Sequence, residues 1–258
     1  MGMQLFLEDG SYILTNEGID CSIPLAASPE NPRAWYVDAP FIEPVRTDQW
    51  TGAVAEGGSV NFRNIFFNPH GHGTHTECLG HITPEVYSVN DVKIEPFMKA
   101  QLISIAPEER ELPDGTIDSV VTAPQVAIAL QAFEIDAVLI RTLPNDPKKR
   151  STNYSSTNPT YFDAAIVDVL DKAGVKHLLV DVRSVDLEQD GGALAFHHAF
   201  WGVPHDQRFD RTITELIYID DTAEDGLYLL SIETAPFVND ATPSRPIIYP
   251  IHRNAEDQ

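Results

Sequence analysis

Cysteine, basic residues and long apolar runs are the scarce features of this sequence. Only two cysteines, Cys21 and Cys78, occur in 258 residues. That is too few for a disulfide framework, and a chain of this length buries enough apolar surface to fold without one. Lys and Arg number 17 against 39 Asp and Glu, a formal net charge of -22. Such a surface repels phosphate backbones and anionic headgroups, so neither nucleic acid nor a membrane is an expected partner. No apolar run approaches the roughly 20 residues that span a bilayer. The start, MGMQLFLEDGSY, lacks the basic and then apolar segments of a secretory signal. A cytoplasmic protein is expected.

Internal repeats, low-complexity tracts and Gly/Ser linkers are also lacking, which points to one domain over residues 1–258. The first hundred residues read as short strands, such as 12–14 and 61–67 (NFRNIFF), between Pro- and Gly-containing loops. The middle alternates. Residues 102–106 (LISIA), 137–140 (AVLI) and 177–180 (HLLV) read as buried strands. Between the first two, Thr122 caps a helix with Pro124 near its start. Between the second pair, Phe162, Ile166, Val169, Leu170 and Ala173 fall at helical spacing, and Gly174 stands where a left-handed cap belongs. Strand and helix in alternation predict an α/β fold with parallel pairing. Strands return at 216–219, 227–232 and 246–251, and the longest loop covers 142–160.

What is abundant is histidine in one place. Residues 70–81 (HGHGTHTECLGH) hold four of the nine histidines together with Glu77, directly after the strand NFRNIFF. Imidazoles and a carboxylate at short spacing are what zinc, manganese or iron require. In an extended segment residues two apart share a face, so His75 and Glu77 point the same way, while His81 approaches from another side. Cys78 alternates away from Glu77 and is not read as a nucleophile. A second cluster, His197-His198, lies amid apolar residues. Adjacent residues on a helix project about 100° apart, so only one of the two can face a metal. Glu215, inside the apolar run TITELIY, needs a partner, and a metal is one. Arg141 suits a salt bridge within the fold better than a substrate contact.

These residues resemble the metal-dependent cyclase/kynurenine formamidase-like family, whose signature is His-x-Gly-Thr-His-x-Asp-x-Pro-x-His. Gly73-Thr74-His75-Thr76-Glu77 and His81 match it most closely. Asp20-Cys21-Ser22-Ile23-Pro24-Leu25, Leu139-Ile140-Arg141-Thr142, residues 180–186 (VDVRSVD) and Pro243-Ser244-Arg245-Pro246 are similar to further stretches of it, in order. The resemblance implies a swivelling β/β/α fold with a mixed sheet, a homodimer or homotetramer, one or two divalent ions (zinc or manganese), and hydrolysis of an amide bond in a small molecule. By position it makes His75, Glu77, His197 and Glu215 metal ligands and His81 the general acid/base. The family's first His falls on Gly71, so His70 or His72 must replace it, with His72 preferred. Glu77 stands for the family's Asp and Leu79 for its Pro.

Two other readings compete. His70-x-His72 followed by Glu77 fits the first half of a cupin motif, which belongs to an all-β barrel. A family member that kept the fold but lost the chemistry would act as a binding protein.

Overall fold

Seven strands close a barrel: β1 (His75–Glu77), β2 (Met98–Ile105), β3 (Ala137–Thr142), β4 (His177–Val180), β5 (Thr212–Glu215), β6 (Gly226–Thr234) and β7 (Ala241–Pro250). The structure, a computed structural model, describes residues 2–131 and 134–253. In space the strands run β1, β7, β6, β2, β3, β4, β5 and back to β1. The run from β2 to β5 is parallel and the remaining pairings are antiparallel. Parallel neighbours need long crossovers, and each of the three here contains a helix. Four short helices are used below: α1 (Pro69–His72), α2 (Ala123–Ala129), α3 (Ile166–Ala173) and α4 (Ala195–Trp201). The last three occupy those crossovers. This is the mixed α/β architecture expected from the alternating pattern, and its parallel, helix-bearing half rules out the all-β cupin alternative.

Period-two alternation sorts the strand residues into two cores. Ile103, Ile105, Val138, Ile140, Leu178 and Val180 pack with Val126, Ile166, Leu170, Phe196 and Phe200 of the helices. Ala100, Leu102, Ala137, Leu139 and Leu179 instead meet Leu230, Ile232 and Ile248 from β6 and β7, inside the barrel. Strands buried on both faces explain why these segments are continuous apolar runs.

Two boundaries differ from the sequence pattern. Phe162 belongs to the short strand Tyr161–Phe162, parallel to Ile117–Val121, and the helix starts only at Ile166. Its ring packs 6.2 Å from that of Phe196 in the helix-side core, so its burial imitates a helical position. Residues 216–219 do not form a strand. The strand ends at Glu215, and Leu216 adopts φ 54°, turning the chain immediately after the glutamate. The Thr122 cap and the left-handed Gly174 at φ 83° form as the sequence predicts, and Gln125 adds a capping box to the first.

Outside the barrel, Phe41–Pro44 pairs antiparallel with Arg63–Phe66. This arm exposes Phe41, Phe62, Ile65 and Phe66.

Candidate metal centre

The site forms where β1 meets its two antiparallel neighbours. Register places His75 opposite Glu215 of β5 and Pro243 of β7, while Glu77 lies opposite Ile213 and Ala241. His75 and Glu77 are two apart on an extended strand, so both side chains enter the same space. Both are fully buried, and Glu215 and His197 nearly so.

His75 is the most informative of these residues. Its Nδ1 lies 3.0 Å from the Gly73 carbonyl. That contact needs a proton on Nδ1, which leaves Nε2 with a lone pair. Nε2 is buried without a hydrogen-bond partner and faces Glu215 Oε2 at 3.6 Å and Glu77 Oε2 at 3.9 Å. A buried acceptor left unpaired costs roughly 1–3 kcal/mol. With the ring neutral, three acceptors converge here, an arrangement that suits a cation.

Glu77 is shared by a second group. His70 Nδ1 lies 2.9 Å from its Oε2, and His197 Nε2 lies 3.0 Å from its Oε1. Ligand atoms of His75, Glu77 and Glu215 all fall within 4.8 Å of one another, as do those of His70, Glu77 and His81. Two imidazole/carboxylate triads therefore meet on one glutamate. Burial resists charge on Glu77, but His81, His197 and His70 around it hold its carboxyl well below the usual range.

The surrounding residues fix the imidazoles. Asp186 accepts from the backbone N–H groups of Phe196 and His197 at the start of α4 and from His197 Nδ1–H. This orients His197 with Nε2 toward Glu77. Glu215 Oε1 accepts from the Val185 N–H at 3.0 Å, leaving Oε2 toward His75. On the outer side Asp240 Oδ2 lies 2.9 Å from His70 Nε2 and 3.3 Å from His81 Nδ1, and the rings of His70 and His81 stack at 4.1 Å. Burial works against protonation of His70 and His197, yet paired carboxylates outweigh it. Asp240 and Glu77 raise His70 to about 10, and Asp186 and Glu77 raise His197 to about 10. Asp240 and Asp186 are lowered in turn, against burial, by those same histidines.

The structure thus brings together His75, Glu77, His81, His197 and Glu215. It does not bring in His72, which corrects that sequence expectation. His70 and His72 both lie in α1, whose Asn68 cap accepts from the Gly71 N–H. In a helical turn, residues two apart project about 200° apart instead of sharing a face. His70 therefore faces Glu77, while His72 accepts from the Asn68 N–H through Nδ1 and meets the Asp38 carbonyl through Nε2. Burial lowers its pKa, so it is a neutral structural residue. A Cβ at Gly71 would sit 2.8 Å from Val37 Cγ2, so the histidine of the family signature would fit there only if Val37 shifted. Sequence reasoning also missed Asp186 and Asp240. The first was visible in the VDVRSVD stretch. The second becomes visible only once β7 is paired beside β1.

Cys78 behaves as expected. Its thiol meets the Tyr87 carbonyl at 3.3 Å, and burial pushes its pKa up to about 11.

Comparison with known proteins decides the family. The Putative cyclase family model matches residues 19–187, well over half of the chain. The chain belongs to this family. It is 26% identical over 238 residues to a kynurenine formamidase from Bacillus cereus, an alignment covering 92% of this chain and 99% of that one. A kynurenine formamidase from Bacillus cytotoxicus is likewise 26% identical over 237 residues. Among solved structures, an isatin hydrolase bound to the product analogue thioisatinate superposes with a TM-score of 0.64 at 13% identity, covering 91% of this chain and 92% of that one. A potential metal-dependent hydrolase with cyclase activity gives 0.62 at 14% identity, with 92% and 98% covered. At such identity these structures establish the shared fold of this cyclase-family chain. Among its described residues no helix is long and apolar enough to cross a membrane.

Proposed function

We propose that this cyclase-family protein is a metal-dependent hydrolase that cleaves a non-peptide amide, either a formamide or a cyclic amide, in a small molecule. The observation that carries this reading is His75 Nε2, a buried lone pair without a partner between the carboxylates of Glu77 and Glu215. The kynurenine formamidase relatives and the isatin hydrolase fold support the choice of bond. His75, Glu77, Glu215 and His197 would hold a divalent ion, and His70 stands beside Glu77 for a second. Nitrogen and carboxylate donors without thiolate suit zinc or manganese. A bound ion of this kind polarises a carbonyl and makes a water more acidic, to a pKa of about 7 for zinc.

The chain's own residues supply the rest. His81 is the most accessible imidazole of the cluster, at 31% side-chain exposure. It is held at Nδ1 by Asp240 and stacked on His70, so its position is fixed at the mouth of the site. As general base it takes a proton from the attacking water. The oxygen adds to the amide carbon, the C–N bond breaks, and His81 returns the proton to the departing nitrogen. A carboxylic acid and an amine leave, or their ring-opened equivalent.

The test is metal analysis of the purified protein together with turnover of aryl formamides, cyclic amides and lactones. Stoichiometric zinc or manganese with hydrolysis of an amide is expected. His81→Ala should retain the metal while lowering kcat on the order of 100-fold. Loss of metal in that variant would make His81 a ligand instead. A protein that holds no metal, and gains no activity from zinc or manganese, would be a binding member of the family.

The exposed arm supports self-association. Residues 41–67 carry Glu43, Asp48 and Glu56 against Arg46 and Arg63, nearly neutral in a chain of net charge -22. Such an apolar, nearly neutral surface is one that a second copy approaches with little repulsion. Phe62 and Phe66 are 58% and 45% exposed, and replacing both with Ser should shift a dimer or tetramer to monomer in light scattering. The free, buried Cys21 and Cys78 suit a cytoplasmic setting.

A further inference from the structure

Beside the metal centre lies a buried cation that the proposed chemistry does not use. Arg183 sits in the loop after β4 and is only 1% exposed. None of its three guanidinium nitrogens has a hydrogen-bond partner. This is the largest unmet hydrogen-bonding demand among the described residues, because a guanidinium presents five N–H donors and stays charged under all ordinary conditions. Nearly all buried polar groups in folded proteins are paired, so an orphaned buried arginine calls for an explanation.

The neighbouring acids do not supply one. Glu215 spends Oε1 on the Val185 N–H and turns Oε2 toward His75. Asp186 is occupied by the amides of Phe196 and His197 and by the His197 ring. Glu188 accepts from the Ser156 N–H. Burial pushes the Arg183 pKa down, and the fields of Glu215, Glu188 and Asp186 oppose that without cancelling it, Glu215 most strongly, so the guanidinium flanks the metal cluster without bonding to it.

One face of the guanidinium is taken. Arg183 Cζ stands 4.2 Å from the centroid of the Trp35 ring, and Trp35 packs with Ala34, Tyr154 and Leu216, the residue that follows Glu215. Such stacking fixes the plane of the fork and leaves its N–H edge free. Trp35 and the exposed Tyr36 both have positive φ, 59° and 60°. Two successive bulky residues in the left-handed region are costly, and such strain persists where a segment covers a functional group. The Tyr36 N–H is tied to Ser155 Oγ of the long 142–160 loop, so the cover over Arg183 is built from two surface loops joined by a hydrogen bond.

We propose that Arg183 is the specificity residue of this site and binds a carboxylate on the substrate, selecting anionic amides over neutral ones. The inference rests on the hydrolytic reading for the word substrate, but the anion receptor stands on the orphaned guanidinium alone. A planar carboxylate satisfies two parallel N–H donors of the fork at once. In a chain of net charge -22, a fixed buried cation beside Glu215 is also what gives an anion a favourable place to bind.

The experiment compares N-formylanthranilate with formanilide, the same aryl formamide without its carboxylate, and adds benzoate binding by calorimetry to the protein as purified. For Arg183→Gln, kcat/KM for the carboxylated substrate should fall at least ~100-fold while formanilide changes less than about threefold. Benzoate affinity should fall at least about tenfold in the same variant. Equal losses on both substrates, or unchanged benzoate binding, would overturn the proposal and make Arg183 a structural counter-charge. If Arg183→Gln does not fold, as judged by its melting curve, Arg183→Lys decides. It keeps the charge but not the fork, and should weaken benzoate and the carboxylated substrate while sparing formanilide. Should wild type hydrolyse neither compound, the hydrolytic reading fails, and benzoate binding still decides the role of Arg183.

Discussion

Strands β2 to β4 form a parallel wall whose side chains are mostly apolar and packed on both faces. The seam where β1 lies between β5 and β7 is built quite differently. It gathers His70, His75, Glu77, Glu215 and Asp240 at or beside three short lengths of strand, largely excluded from water. The wall gains from burial of apolar area at roughly 25 cal/mol per Å². The seam gains little from burial, since each charged group there must recover its lost hydration from a partner. Placing the chemistry where parallel pairing gives way to antiparallel pairing lets three strands and the α4 start aim side chains at one point. A uniform apolar wall has no such position.

This contrast predicts that substitutions in the two regions separate activity from stability. The largest effect belongs to Glu77, the carboxylate shared by both triads. Glu77→Gln keeps the shape but removes the charge, and should abolish stoichiometric metal and lower kcat/KM on the order of 1,000-fold, with circular dichroism unchanged. Leu139→Ala on the wall should do the reverse. It removes a fully buried side chain inside the barrel and should cost about 2–5 kcal/mol in urea unfolding, while kcat per folded molecule stays within about twofold. A Leu139→Ala protein that is stable but inactive would show that the wall and the seam are not independent.

The wall was also the part legible in the sequence. Apolar runs of 4–8 residues alternating with capped helices announce parallel strands, and the Thr122 and Gly174 caps act locally enough to be read from one stretch of chain. Phe162 misled because a buried strand residue next to a helix can share the helix's spacing. At the seam, His75 and Glu77 were legible because two-residue alternation in a strand is local, and His197 and Glu215 because the resemblance placed them. His70 against His72 was not, since the choice depends on whether residues 69–72 are extended or helical, and the Asn68 cap made them helical. Asp240 was hidden because only the pairing of β7 with β1, about 165 residues apart in the chain, brings it to His70 and His81.

A smaller effect is expected at Asp186, which touches the seam only through His197. Asp186→Asn keeps an acceptor for the α4 amides but weakens its hold on the His197 Nδ1–H. Second-layer changes of this kind typically cost 10–100-fold in metal affinity. A competitive chelator titration should show that loss with the fold retained. Unchanged affinity would mean that His197 serves the seam as a hydrogen-bond partner of Glu77 and not as a ligand.

The finest distinction between the two regions lies in acid. His177, the first residue of β4, is buried on the wall and pairs through Nδ1 with Thr212 Oγ1 at 2.8 Å. Burial, the dominant influence, pushes its pKa down to about 4. An unfolded histidine titrates near 6.5. Between those values the unfolded chain takes up a proton that the folded chain refuses, so stability is complete above pH 6.5 and falls as pH drops. The loss amounts to about 2 kcal/mol by pH 5. His177→Asn, which cannot be protonated, should remove that part of the slope, seen as a urea midpoint at pH 5 that is higher relative to the midpoint at pH 7.5 than in the wild type. Glu77 and Asp240, held low by their histidines, keep their charge through this window, whereas His70 and His197, raised to about 10 by their carboxylates, stabilise the fold increasingly as pH falls through 6.5 and so oppose the loss at His177. A variant with the wild-type slope would move the acid sensitivity from the wall to the seam.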